Sequence, residues 1–370
     1  MKKCSGAKKA VHDRQALRRG LHTAKRLAKY RKAKLKVFNA AHEIPKKKQP
    51  TWKRPVHTIE CPSHLNLSSN YDATINLIAK IRSWAISGIR SPLHIDFKTI
   101  QTITPAASLL LAAELDRWNQ LTPHRKLKAA DAHLWDPSVR QLLKQMGFFE
   151  LLGINEKTLK CEFPIENDKG QHFLPFYAGE DSGGGMAEIL RDRIEQFAGR
   201  LKDRYSLYDG LVEAMTNVAH HAYPGTHRLK RWWISASLDV SSSKLTVLCL
   251  DHGVGIPNTL PRTNKEVVRK LFSGLGGIVK DDAKMIRAAT ELTRSSTGRK
   301  NRGYGLQRDI TRYVSKHDSA GRLRIFSNAG MYIFEKDRSG RESINLMNHT
   351  HPIFGTFIEW TIEDYATVLI

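Results

Sequence analysis

The sequence predicts an α/β protein whose most ordered part is its C-terminal half, and three observations support this. Two long helical patterns, residues 186–200 and 205–222, precede the strand-like runs RWWISASLDV, KLTVLCLDHG, LRIFSNAG, MYIFEKD and TFIEWTI. Helices followed by strands suggest a helix layer covering one face of a mixed sheet. Upstream, LHIDFKTI (Leu93–Ile100) alternates like a strand, and TITPAASLLLAAELDRW has the apolar spacing of a helix packed on it. The first 55 residues show neither pattern and are dominated by charge.

The chain reads as four segments: an arm over 1–55, a small α/β domain over 56–160, a connector over 161–185 and a second α/β domain over 186–370. The arm holds 19 Lys and Arg against Asp13 and Glu43, so +17 of the formal charge of +24 belongs to it and +7 to the other 315 residues. Leu17, Leu21, Ala24 and Ala28 give it a helical tendency that Gly20 weakens, and Pro45, Pro50 and Pro55 end it. Such an arm can neutralise phosphates and release counterions, so RNA or DNA is its expected partner. A solvated, disordered tail and contact with an acidic protein or membrane surface are the alternatives. The connector ends in Gly183-Gly184-Gly185, and Asp136-Pro137 opens an amphipathic helix carrying Val139, Leu142, Leu143 and Met146.

No apolar run is long enough to span a membrane; Ala106 to Leu115 is short and ends in Asp116 and Arg117. No apolar stretch follows the basic N-terminal residues, so no secretory signal is expected. Cys4, Cys61, Cys161 and Cys249 form no CxxC pair, which argues against a zinc site or a disulfide framework and predicts a reducing, cytoplasmic setting.

The segment YDGLVEAMTNVAHHAYPG, residues 208–225, has two faces. At about 100° per residue, Leu211, Met215, Val218 and Ala222 share the side that should meet the sheet. Glu213 and Asn217 are nearly eclipsed on the other side, with His220 and His221 one turn later, before Pro224 and Gly225 stop the helix. This stripe is either wet surface or the wall of a pocket. In a pocket, the Asn oxygen suits Mg²⁺, and the Glu can orient or deprotonate a water aimed at a phosphate.

Two glycine motifs lie downstream. Asp251-His252-Gly253-Val254-Gly255-Ile256 ends an apolar strand, where an Asp can accept from an adenine amine and glycines let the backbone approach the ring; an ordinary turn is the plainer reading. Gly303-Tyr304-Gly305-Leu306 then opens a helix, a geometry that suits phosphate, with Arg299, Lys300 and Arg302 adding charge. The long stretch between them, containing Gly274–Gly277, suggests a lid. Gly355-Thr356 starts the last strand run.

In this order (E-xxx-N-xxx-H, DxGxGI, GxGL, GT), residues 186–365 resemble the ATP-binding domain of the GHKL superfamily of gyrase, heat-shock 90 chaperones, MutL-type repair proteins and sensor histidine kinases. EAMTNVAHHAY is most similar to the anti-sigma serine kinases. The resemblance implies a Bergerat-type α/β sandwich with a mixed sheet that binds ATP and Mg²⁺. It makes Glu213 the base or water-orienting residue, Asn217 the Mg²⁺ ligand and Asp251 the adenine acceptor. Gly253, Gly255 and Ile256 would shape the base pocket, Arg302, Gly303, Gly305 and Leu306 would close on the phosphates, and Thr356 would support Asp251. His221 matches the family's position four residues after the Asn. The middle segment, through LHIDFKTIQTITPAASLLLAAEL and PSVRQLLKQMGFFELL, resembles a STAS domain, a regulatory-protein partner surface in that family. Where that family has Asp-Ser-Ser-Gly, this chain has Pro105-Ala106-Ala107-Ser108; the acceptor position is alanine, and Ser108 reads as a helix-face serine.

Three functional readings are open: an ATP-hydrolysing regulatory switch, an anti-sigma-like serine/threonine kinase, and a non-catalytic nucleotide-sensing adaptor. The carboxylate of Glu213 favours the first over the third. Relatives often dimerise, so a homodimer is a further expectation.

Overall fold

The chain divides into two units, Met1–Arg54 and Pro55–Ile370. The computed structural model describes residues 57–86, 93–122, 127, 129, 131–159, 170–180, 184–201, 204–225, 229–263, 281–291, 306–316 and 319–364, with Lys29 alone from the first unit.

The N-terminal portion of the second unit contains β1 (His57–Glu60), β2 (His64–Leu65), α1 (Tyr71–Ile86), β3 (Leu93–Asp96), β4 (Thr102–Ile103), α2 (Pro105–Leu121), α3 (Pro137–Met146) and α4 (Phe148–Leu151). β1 pairs with β3 and β2 with β4, both in parallel. Thr104 caps α2, and Asp136 caps α3 by accepting from the amides of Ser138 (2.9 Å) and Val139 (3.0 Å). Gly147 ends α3 in the left-handed region, φ 106°.

The remainder of this unit supplies β5 (Gln171–Phe173), β6 (Tyr177–Gly179), α5 (Gly184–Ala198), α6 (Arg204–Asn217), β7 (Trp232–Asp239), β8 (Lys244–Asp251), α7 (Ile256–Thr263), α8 (Asp282–Glu291), α9 (Leu306–Ser315), β9 (Gly321–Lys336) and β10 (Glu342–Glu363). β5 and β6 fall within the stretch expected to be a connector. The sheet runs β5-β7-β8-β10-β9, with β6 on the same edge of β7 as β5.

The fold is an α/β sandwich, but where a mixed sheet was expected, every described pairing in this sheet is antiparallel. Tight turns impose this for β7–β8 and β9–β10, because a short connection can only reverse the chain. Between β7 and β8, the Asp239 carboxylate accepts from the Ser241 hydroxyl (2.6 Å) and the Ser242 amide (3.0 Å). Between β9 and β10, Asp337 accepts from the amides of Ser339 (2.9 Å) and Arg341 (3.0 Å). The expected runs LRIFSNAG and MYIFEKD are one continuous strand, β9. TFIEWTI is the end of β10, whose first half pairs with β9 and whose pairing with β8 starts at Thr356.

Both faces of the sheet are covered, so β7 and β8 are buried along nearly their whole length rather than alternately. On one face, Trp232, Ile234, Val247, Cys249, Ile358 and Trp360 form a core with Leu190, Ile194, Leu211, Met215, Ile310 and Val314 from α5, α6 and α9. On the other, Trp233, Leu248, Leu250, Phe326 and Phe357 join Ile75, Ile78, Leu109 and Leu110 from α1 and α2.

This second face also buries charge. Glu114 is fully enclosed and accepts from Arg82 Nε (3.0 Å) and Arg117 Nη1 (2.9 Å). Asp116 accepts from Trp233 Nε1 (2.8 Å) and pairs with Arg231 (3.0 Å). Arg324 grips Glu359 through both carboxylate oxygens, at 2.7 Å each, and reaches the Ser68 hydroxyl. Ser108 is fully buried, its hydroxyl donating to the Thr104 carbonyl at 3.0 Å.

Removing one member of a buried ion cluster leaves the others uncompensated. Glu114→Ala is expected to destabilise the protein by about 3–5 kcal/mol. Denaturant unfolding measures this, and a loss of less than about 1 kcal/mol would contradict the burial of a compensated charge cluster.

Candidate functional site

The site forms where α6 ends and β8 ends. In α6 the apolar stripe of Leu207, Leu211 and Met215 is buried against the sheet. Glu213 is buried and Asn217 half-buried one turn later, and the Asn217 amide donates to Glu213 Oε1 at 3.1 Å. The helix then widens into a π turn over Val218–Ala222, a local unwinding often found at functional sites. The Ala222 carbonyl accepts from the Val254 amide at 2.8 Å, which ties the helix end to the loop after Asp251.

Gly253 makes that approach possible: a Cβ there would lie 2.3 Å from the Ala222 carbonyl oxygen. Gly255 has φ 84°, and a Cβ there would meet Asn328 Oδ1 at 2.7 Å and Ser327 Oγ at 2.9 Å. Ile256 opens α7, and its amide donates to Ser327 Oγ at 2.8 Å. Ser327 Oγ also lies 3.1 Å from Thr356 Oγ1.

Thr356 is in register with Asp251 across the β8–β10 pair. The Asp251 carboxylate accepts from the Gly253 amide at 2.6 Å and from the backbone and side chain of Thr356. Burial is the largest influence on Asp251 and raises its pKa to about 7, against these hydrogen bonds, which lower it. On the opposite face of the strand, His252 is held neutral, first by burial and then by Arg82 and Arg117. Its ring packs on Trp233 with centroids 4.6 Å apart, and Nδ1 lies 4.0 Å from Glu114 Oε2. Its backbone amide donates to the Tyr223 hydroxyl at 3.0 Å, and that hydroxyl donates to the Arg231 carbonyl at 2.7 Å.

The structure therefore brings Asp251, Gly253, Gly255, Ile256 and Thr356 together, and joins them to the helix of Glu213 and Asn217 through Ala222. His221 is exposed, with its ring edge-on to His220. Leu306 begins α9. Arg302, Gly303 and Gly305, together with the expected lid over 264–280 and 292–300, lie outside the described residues. A cavity of about 230 Å³ opens elsewhere, between the start of α2 and the sheet, beside Asn66, Thr104, Arg324 and Glu359.

Sequence reasoning missed Ser327, Asn328 and Tyr223. The signal for the first two was present: Ser-Asn-Ala-Gly interrupts an apolar strand, the mark of a bulge. Asn328 has φ 52°, and the β9–β10 register shifts there.

No protein-family model matches the chain, and no curated protein matches it. Among solved structures it is similar to the B subunit of DNA gyrase from Myxococcus xanthus, with 11% identity and a TM-score of 0.22. The alignment covers 50% of this chain and 44% of that one, so the chain spans less than half of that subunit's length.

Because the folded state raises the Asp251 pKa, its contribution to stability is full below the unfolded value and is lost as pH rises through about 7. Between about pH 5 and about pH 8 this one group should lower the unfolding free energy by about 2–3 kcal/mol. Asp251→Asn keeps an acceptor for the Gly253 amide and removes the titration. Its pH–stability curve should be flatter by that amount, whereas a curve parallel to wild type would contradict the raised pKa.

Proposed function

We propose that the second unit is a GHKL-type nucleotide-binding module that takes ATP with Mg²⁺ and works as an ATP-hydrolysing regulatory switch. The observation behind this reading is the junction at Ala222. It couples the helix of the Glu213–Asn217 pair to the loop of a buried, strand-end Asp251 whose carboxylate is held by Gly253 and Thr356.

In this reading Asp251 accepts from the adenine amine, in a base pocket shaped by Gly253, Gly255 and Ile256. Asn217 supplies a hard oxygen to Mg²⁺, which keeps its remaining waters. Glu213, already hydrogen-bonded to Asn217, orients the water that attacks the γ-phosphate. Arg302, Gly303, Gly305 and Leu306 close on the phosphates, and His221 lies at the rim. The bound metal supplies charge neutralisation at the phosphates.

The STAS-like portion serves as the regulatory element. α2 faces the sheet through Glu114 and Asp116, and His252 follows Asp251 directly, so the state of the base pocket bears on the packing of α2. Burial of the Ser108 hydroxyl favours this role over self-phosphorylation of the segment. The arm over 1–55 contacts RNA or DNA.

Steady-state assays test the switch directly. Glu213→Gln should keep ATP affinity within about threefold and lower hydrolysis by about 100-fold or more. Asn217→Ala should lose the Mg²⁺-dependent part of ATP binding with an unchanged unfolding midpoint. Calorimetry showing no heat with Mg-ATP for the wild-type chain would end the proposal. Deleting residues 1–55 should abolish salt-sensitive nucleic-acid binding and leave ATP binding intact; an unchanged salt slope would place that contact elsewhere.

A further inference from the structure

Well outside the nucleotide site, β3 and the 3₁₀ turn at Ala132–Leu134 bring three metal-ligating side chains together. His94 and Asp96 are two apart on β3, so they project from the same face of the strand. Asp131 stands immediately before the turn, and its side chain makes no capping hydrogen bond. One ligand atom from each of the three lies within 4.8 Å of the others, with His94 Nε2 3.4 Å from Asp131 Oδ2.

We propose that His94, Asp96 and Asp131 form a binding site for a divalent transition-metal ion such as Zn²⁺. Among the described residues, both carboxylate oxygens of Asp131 are shut off from solvent and accept no hydrogen bond, His94 Nε2 standing 3.4 Å from Oδ2. A carboxylate enclosed in this way is costly unless a cation or donors meet it. The His94 imidazole and the Asp96 carboxylate converge on the same point. Behind them, Cys61 is buried, its amide donating to the Asp96 carbonyl at 3.3 Å. Two carboxylates and an imidazole thus meet at one half-buried spot. Its one described ammonium neighbour is Lys98, which is half-exposed and lies 3.3 Å from Asp96 Oδ2.

The donor set points to the ion. One imidazole and two carboxylates suit Zn²⁺, Mn²⁺ or Co²⁺ better than Mg²⁺, which prefers oxygen and water. Three protein ligands leave a coordination position for water or an exchangeable ligand, as in catalytic rather than structural zinc sites. The ligand atoms are more widely spaced than around a bound ion, so binding draws Asp131 and the turn behind it toward β3. The site also differs from the nucleotide site in needing no phosphate.

The test uses the full-length, chelator-treated chain without nucleotide. Calorimetric titration with ZnCl₂ should show one equivalent bound per chain, and Co²⁺ should give the visible absorption of a low-coordinate protein site rather than of the aqua ion. His94→Ala and Asp131→Asn should each weaken Zn²⁺ binding by at least about 30-fold. Lys98→Met should tighten it, because the lysine competes for Asp96. Asn217→Ala should bind Zn²⁺ as the wild type does, which separates this site from the proposed Mg²⁺ site. Absence of Zn²⁺ binding by the wild type, or binding that survives both His94→Ala and Asp131→Asn, would overturn the assignment.

Discussion

The buried carboxylate of Asp251 sets the constraints on everything around it. A carboxylate at the end of a fully buried strand needs donors, and the chain brings them from two directions, the Gly253 amide ahead of it and Thr356 across the sheet. Each donor imposes a condition. The turn to Gly253 is tight enough that residue 253 has no room for a side chain against the end of the preceding helix. The approach of β10 demands glycine at 355, where a Cβ would fall 1.9 Å from the Asp251 carbonyl oxygen. The glycines around the site are thus geometric requirements of one charge rather than loop filler.

A sheet covered on both sides has a further result. Asp251, the last residue of β8, and His252 just after it report to different layers: Asp251 to the loop at the end of α6, His252 to the charge cluster on α2. The cluster is polar but not wet, because Glu114 and Asp116 are satisfied by arginines and an indole rather than by solvent. Any rearrangement at the strand end meets an α2 surface held by directional bonds, which resists gradual adjustment.

Much of the sandwich could be read from the chain because its signals were local. The 100° spacing of Leu211, Met215 and Val218 identified the buried side of α6, and the same geometry put Glu213 over Asn217. The Asp136-Pro137 cap was equally plain. What escaped depended on partners far away in sequence. β5 and β6 are three residues each, too short for periodicity, and exist because β7 offers them an edge. The acids in LLLAAELDRW gave no sign of burial, because Arg82 and Arg231, which meet Glu114 and Asp116, lie outside that helix. β9 was divided between Gly330 and Met331 because residues that make a bulge, Ser327 to Gly330, are the same ones that make a turn. Two of the antiparallel pairings, β7–β8 and β9–β10, followed from turns capped by Asp239 and Asp337, and the other three join strands far apart in sequence. Helix α1 was missed although Ile75, Ile78 and Ile81 are spaced for it, because the preceding Asn-Leu-Ser-Ser-Asn reads as loop.

The π turn at Val218–Ala222 sets a limit on how this chain can vary in length. A helix with one surplus residue in its last turn delivers its final carbonyl about 100° out of phase with a regular continuation. That offset is what aims Ala222 at Val254. Losing a single residue between 218 and 222 would restore ordinary winding, leave the packed face of α6 undisturbed, and swing the junction away from the Asp251 loop. Lineages of this protein should therefore accept substitutions across that turn far more readily than single-residue deletions.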